Sequence, residues 1–179
     1  SKVFGEHLEH VQVLRKVTGK ELLGLHSKPL DPFLPVHDAD YISFLRTAID
    51  EWLEAPLAAQ YEKTALFPAT FPPGGWRNHI PKSLLGRAGD YMMDLSAPIV
   101  AGTYQAALAS ANCALSGANF IAPSVSPLQK SLRYPLTAFA LCRPPGHHAG
   151  RASCGGYCYI NNAAVAASWL ARLGPVAIL

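Results

Sequence analysis

The chain has 179 residues, 50% of them apolar and only 15% charged, against about 25% charged in an average soluble domain. That length suits one domain and can bury roughly 70% of the extended chain's surface, which excludes intrinsic disorder. A net charge of +3 with no run of Lys and Arg argues against a nucleic-acid partner. Pro, Gly or charge also interrupts every apolar stretch short of the ~18–20 residues of a membrane span.

The opening residues, 1–7, lack the basic-then-apolar layout of a secretion signal. Four cysteines, Cys113, Cys142, Cys154 and Cys158, do not make a disulfide scaffold in a chain this long. The expectation is a soluble domain of a reducing, cytoplasmic compartment.

In chain order, residues 6–17 place Leu8, Val11 and Leu14 near helical spacing, with Gly19 as a stop. Residues 38–53 predict a helix more firmly, because Tyr41, Phe44, Leu45, Ala48, Ile49 and Trp52 recur with helical period. Asp38 stands where a cap belongs, Asp40 adds charge that the macrodipole favours, and Pro56 closes the helix. Residues 67–89 carry four prolines and read as a long ordered loop. Phe67, Phe71 and Trp76 would give that loop a surface to cover: its own domain, an oligomer contact or a pocket wall. Residues 103–118 predict a further helix with Tyr104, Ala107, Leu108, Ala111 and Leu115 on one side and Gly117 near its end. Residues 122–135 read as a connecting loop.

From Leu136 the pattern changes. Residues 136–141 form a short apolar run, as in a strand buried on both faces. Cys142-Arg-Pro-Pro-Gly-His-His-Ala-Gly150 cannot continue it, since two prolines lack the donor. A Gly155-Gly156 turn follows, then a helix over 163–173 with an Asn cap, and a second buried strand at 175–179. This order is a βαβ unit. Ligands of open α/β sheets bind beyond the carboxyl ends of strands, which is where His147 and His148 fall.

Three readings of the doublet compete. Both imidazoles can be structural; both can bind zinc, although adjacent residues are poorly spaced for that; or they can share one proton, one acting as base while the other stays cationic. Cys154 and Cys158 invite a metal reading too, but with no companion ligand nearby they read better as small buried hydrophobes. His37 reads as structural, Asn161 and Asn162 as caps and turn formers, and Arg143 as a holder of loop carbonyls.

Residues 142–149, together with Gly155-Gly-Tyr-Cys-Tyr-Ile-Asn-Asn-Ala-Ala-Val-Ala-Ala167, resemble the histone deacetylase superfamily, and within it the bacterial acetylpolyamine amidohydrolase branch. Val36-His-Asp-Ala-Asp-Tyr-Ile-Ser-Phe-Leu45 and Pro98-Ile-Val-Ala-Gly-Thr-Tyr104 support it. The resemblance implies an α/β, arginase-like three-layer fold around a parallel sheet. It further implies a zinc-dependent amide hydrolase acting on acetylpolyamine or acetyl-lysine. His147 and His148 match the paired catalytic histidines, and Gly156 and Tyr157 match the wall of the substrate tunnel. Many members carry an acid at the tunnel rim; Ser96 stands at that place here, with Asp94 the nearest acid. No zinc ligand falls in this chain, because the family's ligands would follow Leu179. The expectation is therefore a partial domain over 1–179, truncated at both ends, with an insertion at about 67–89. Zinc is expected in the full-length protein, a homodimer. The alternative is a metal-free, degenerate deacetylase fold acting as a binding module.

Overall fold

The structure, a computed structural model, describes residues 36–56, 64–71, 81–122 and 137–179. The helix expected at 6–17 lies outside them, as does Trp76. Six elements run in order: α1 (Ala39–Glu54), β1 (Ala65–Leu66), α2 (Leu84–Tyr91), β2 (Ile99–Val100), α3 (Thr103–Ile121) and α4 (Asn162–Leu170).

Helix α1 buries one stripe, Tyr41, Ile42, Phe44, Leu45, Ala48, Ile49 and Trp52, as its apolar period requires. Tyr91, at the end of α2, fills the space beside it, with ring centroids 5.5 Å from Tyr41 and 4.9 Å from Phe44. β1 and β2 close this core as an antiparallel pair, Ala65 opposite Val100 and Leu66 opposite Ile99. Gly102, at φ +86°, turns the chain from β2 into α3, a conformation that costs glycine no Cβ clash. The alanine-rich α3 then packs along α4.

Four expectations are corrected. Asp38 occupies the N-cap position of α1, but its side chain makes no cap bond; the carboxylate takes the Arg151 Nε–H at 2.6 Å instead. The proline-rich stretch does not stay a loop as far as residue 89, because Ser83 accepts the Gly86 amide at 3.1 Å and starts α2 at Leu84. Two glycines within that helix hid it from periodicity. Helix α4 stops at Leu170 rather than near Leu173. Finally, the described residues of the two expected strands, 137–141 and 175–179, are in no ladder. Phe139 is 88% exposed and Leu141 81%. A strand exists only against a partner, and among the described residues none lies beside either segment. The α/β class holds, but the sheet described here is antiparallel and has two strands.

Candidate active site

Two tight turns meet at this site. In the first, the Ala149 amide donates to the Gly146 carbonyl at 3.1 Å, so His147 and His148 are the central residues of a β-turn. Both are exposed, and their ring centroids lie 4.3 Å apart. The turn rests on the start of α4. A Cβ on Gly146 would overlap the Ile160 carbonyl oxygen and the Asn162 amide, which explains why glycine precedes the doublet.

Polar side chains hold that loop from behind. Asn161 caps α4 by accepting the Ala164 amide at 3.0 Å, and its Nδ2 donates to the Ala149 carbonyl at 3.2 Å. Asn162, buried, donates to the Ser110 hydroxyl at 3.0 Å and to the Pro144 carbonyl at 3.2 Å. Ser110 itself donates to the Pro144 carbonyl at 2.7 Å. Asn161 thus caps, as expected, while Asn162 is the first residue of α4 and does not, and both brace the histidine loop. Contacts of this kind, 12 to 52 residues apart in sequence, leave no local periodic signal.

His37 is a third brace. It is buried; its Nε2 accepts the Asn161 amide at 3.0 Å, and its Nδ1 lies 3.3 Å from the Arg151 carbonyl. This pair of contacts selects the neutral ring protonated on Nδ1. Burial lowers its pKa below 6.5, outweighing the raising effect of the Arg151 and Gly150 carbonyls and of Asp38. Its structural reading stands. Arg143, in contrast, is exposed and holds no loop carbonyl among the described residues.

The second turn is centred one residue later than expected. Gly155 and Cys158 exchange both backbone bonds, at 3.1 and 2.8 Å, and the residues between them have positive φ: Gly156 at 53° and Tyr157 at 66°. Two such residues in a two-residue loop define a type I′ hairpin turn. Tyrosine is a costly occupant, since left-handed backbone strains a residue with a Cβ by about 1–2 kcal/mol. Its side chain is 67% exposed. Strain of this sort clusters at functional sites.

The turns touch through His148. A Cβ on Gly156 would overlap the His148 ring, so only glycine lets the imidazole lie there. The structure therefore brings His147, His148, Gly156 and Tyr157 together. Asp94 joins them: its Oδ2 accepts the Gly156 amide at 2.7 Å, while Oδ1 accepts the Ser96 amide at 2.8 Å and its hydroxyl at 2.7 Å. Burial raises the Asp94 pKa, but the bonds from Ser96 and Gly156 and the charge of His148 bring it below 3.8.

Cys154 and Cys158 are both fully buried. Burial pushes the Cys154 thiol up to about 12, so it packs as a neutral small group. Among the described residues no three His, Cys, Asp or Glu side chains gather as a metal ion needs. The described residues therefore do not fit a zinc site by themselves.

Against known proteins, residues 6–179 match the histone deacetylase domain. The chain belongs to the histone deacetylase family. Its relatives include acetylpolyamine amidohydrolase 2 of Pseudomonas aeruginosa, 41% identical over 152 residues, and the acetylpolyamine amidohydrolase of Mycoplana ramosa, 43% identical over 152 residues. Each alignment takes in 84% of this chain and 40% of the relative. The crystal structure of acetylpolyamine aminohydrolase from Burkholderia pseudomallei superposes with a TM-score of 0.66 at 33% identity, over 80% of this chain and 37% of that one. This chain thus spans about 40% of the length of the curated relatives it matches.

Proposed function

We propose that the whole protein is a zinc-dependent amide hydrolase that removes acetyl groups from small acetylated amines. The acetylpolyamine amidohydrolase relatives favour acetylpolyamines over acetyl-lysine as the substrate class. The observation that carries the reading is the contact of the histidine turn with the Gly156-Tyr157 turn. It sets the paired imidazoles against the turn that carries the exposed Tyr157.

Hydrolysis of an acetylated amine needs one proton taken from water and one given to the leaving nitrogen. Two imidazoles 4.3 Å apart, exposed on one turn, can divide these tasks: the neutral ring accepts the water proton and the cationic ring donates to the amine. Tyr157 offers a flat apolar wall to the alkyl chain, which gains about 0.8 kcal/mol per buried CH₂. Bound zinc would supply a polarised acetyl carbonyl and a more acidic water; its ligands are expected beyond Leu179, as the family pattern implies. We place the protein in the cytoplasm as a homodimer, with the segment around Phe71 at the subunit contact. Phe71 is 52% exposed, and interfaces concentrate such aromatics. No helix among the described residues is long and apolar enough to cross a membrane.

The test is acetate release from an N-acetylated diamine and from an acetyl-lysine peptide by the full-length protein, with zinc measured on the same sample. Turnover of the diamine with one zinc per subunit supports the reading. A folded protein with neither zinc nor turnover supports the binding-module alternative.

A further inference from the structure

We infer that Asp94 is a positioning residue, which fixes the His148 ring by holding the Gly156 amide. The inference rests on the proposed hydrolase reading and deepens it.

Three observations carry it. Both Asp94 oxygens are occupied inward, Oδ1 by the Ser96 amide and hydroxyl and Oδ2 by the Gly156 amide at 2.7 Å. The carboxylate so engaged spends three of its acceptor sites inside the protein. Secondly, the segment that carries Asp94 is pinned to the second turn along its length. Met93 donates to the Cys154 carbonyl at 2.8 Å, Cys154 donates to the Tyr91 carbonyl at 2.8 Å, and a Cβ on Gly155 would overlap the Met93 side chain. Thirdly, the imidazole of His148 lies against Gly156, where a Cβ would sit.

An amide of residue 156 that turns away from Asp94 takes with it the surface on which that ring rests. Tyr157 is less exposed to the same disturbance, because the paired bonds between Gly155 and Cys158 hold the base of its turn. Loss of Asp94 should therefore be felt in the proton-transfer step more than in substrate binding. Asparagine keeps one oxygen acceptor, which can serve either the Gly156 amide or the Ser96 amide but not both, and should keep the geometry only in part.

The experiment compares Asp94→Ala, Asp94→Asn and Ser96→Ala in the full-length protein. It uses steady-state kinetics on an N-acetylated diamine, ¹³C-labelled histidine ring signals and hydrogen exchange at the ¹⁵N-labelled Gly156 amide. For Asp94→Ala we expect kcat to fall about 10–100-fold, the range a displaced catalytic group gives, with KM changed less than about threefold. The His148 ring signals should move and the Gly156 amide should exchange at least about tenfold faster, as loss of a hydrogen bond allows. Asp94→Asn, with one acceptor oxygen left, should fall between Asp94→Ala and wild type in all three. If Asp94→Ala does not fold, Ser96→Ala supplies the loosened case, with a smaller shift of the same ring signals. Unmoved ring signals and wild-type kcat in the alanine variants would overturn the inference. A wild-type protein that turns over no acetylated amine defeats the hydrolase reading instead, while the ring signals and amide exchange still report on Asp94.

Discussion

His37 accepts the Asn161 amide at 3.0 Å on one side of its ring and meets the Arg151 carbonyl on the other. One neutral imidazole thus ties the entrance of α1 to both flanks of the candidate site. Protonation of Nε2 abolishes the Asn161 contact, and burial holds the folded-state pKa below 6.5. The unfolded chain therefore takes up this proton first, and stability rises with pH wherever it does so. The contribution is fully present above pH 6.5 and is lost as the pH falls from there through the folded-state value. Urea midpoints should hold steady between about pH 7 and 8 and decline below about 6.5. His37→Gln, which keeps an acceptor but cannot titrate, should flatten the decline. His37→Ala, which leaves the Asn161 amide without its acceptor, should cost about 1–3 kcal/mol. A decline of the same slope in His37→Gln would remove His37 as its cause.

Tyr157 holds a left-handed backbone while its side chain stays largely in solvent. If the strain serves substrate binding, Tyr157→Gly should leave the melting temperature unchanged or higher, since glycine adopts that conformation freely. The same variant of the full-length protein should raise KM for an acetylated alkylamine at least about fivefold, the loss of one or two methylene contacts. A lower melting temperature with unchanged KM would make Tyr157 a packing residue.

Helix α1 was legible in the sequence because its buried stripe repeats with helical period. The histidine turn was legible because prolines and a glycine punctuate it. Helix α2 was not, since Gly86 and Gly89 dilute its apolar pattern and only the Ser83 cap marks its start. The runs at 136–141 and 175–179 read as strands from composition alone. Composition reports that a segment wants burial on both faces, not that partners lie beside it. The braces Ser110, Asn162 and His37 and the inward turn of Asp94 join residues 18 to 124 positions apart. No spacing rule reaches that far. The family resemblance reached His147, His148, Gly156 and Tyr157 but passed over what holds them.

Phe139, Leu141, Val176 and Ile178 are exposed on two extended segments, and Leu170, Leu173 and Val176 line a shallow hollow beside the second. Exposed apolar surface with unpaired backbone invites association. The 179-residue chain expressed by itself should self-associate, bind a hydrophobic dye, hold no stoichiometric zinc and hydrolyse no acetylated amine. Co-expression with the remainder of the full-length protein should suppress dye binding. A monodisperse, dye-negative chain would show that these segments find cover within the 179 residues. One zinc held per chain would show that a ligand set lies inside it.

The subunit contact can be tested at the proline-rich segment. Phe67 and Phe71 are 41% and 52% exposed, whereas α2 beyond them packs on α1, with an ion pair between Arg87 and Glu51. Shortening the full-length protein between residues 71 and 81 should leave α2 intact and lower the mass in solution from dimer to monomer. An unchanged mass removes this segment from the interface.

Replacing His147 or His148 by Ala in the full-length protein tests the doublet directly. Each change should lower kcat by about 10²–10⁴, as loss of a general acid or base does. Both rings are exposed, and the turn that carries them closes through backbone atoms and rests on Gly146. His147→Ala removes no packed side chain and His148→Ala removes only the contact of one exposed ring with Gly156, so the melting temperature should change by little. Zinc content should also hold, because neither imidazole is proposed as a ligand. The double variant should lose less than the product of the two single losses, since residues acting in one relay are non-additive. A structural role for the doublet predicts the opposite pattern: a modest rate loss and a clear fall in melting temperature. Zinc lost in step with activity in either single variant would replace the proton-relay role with a ligand role, and the three variants measured together separate all these outcomes.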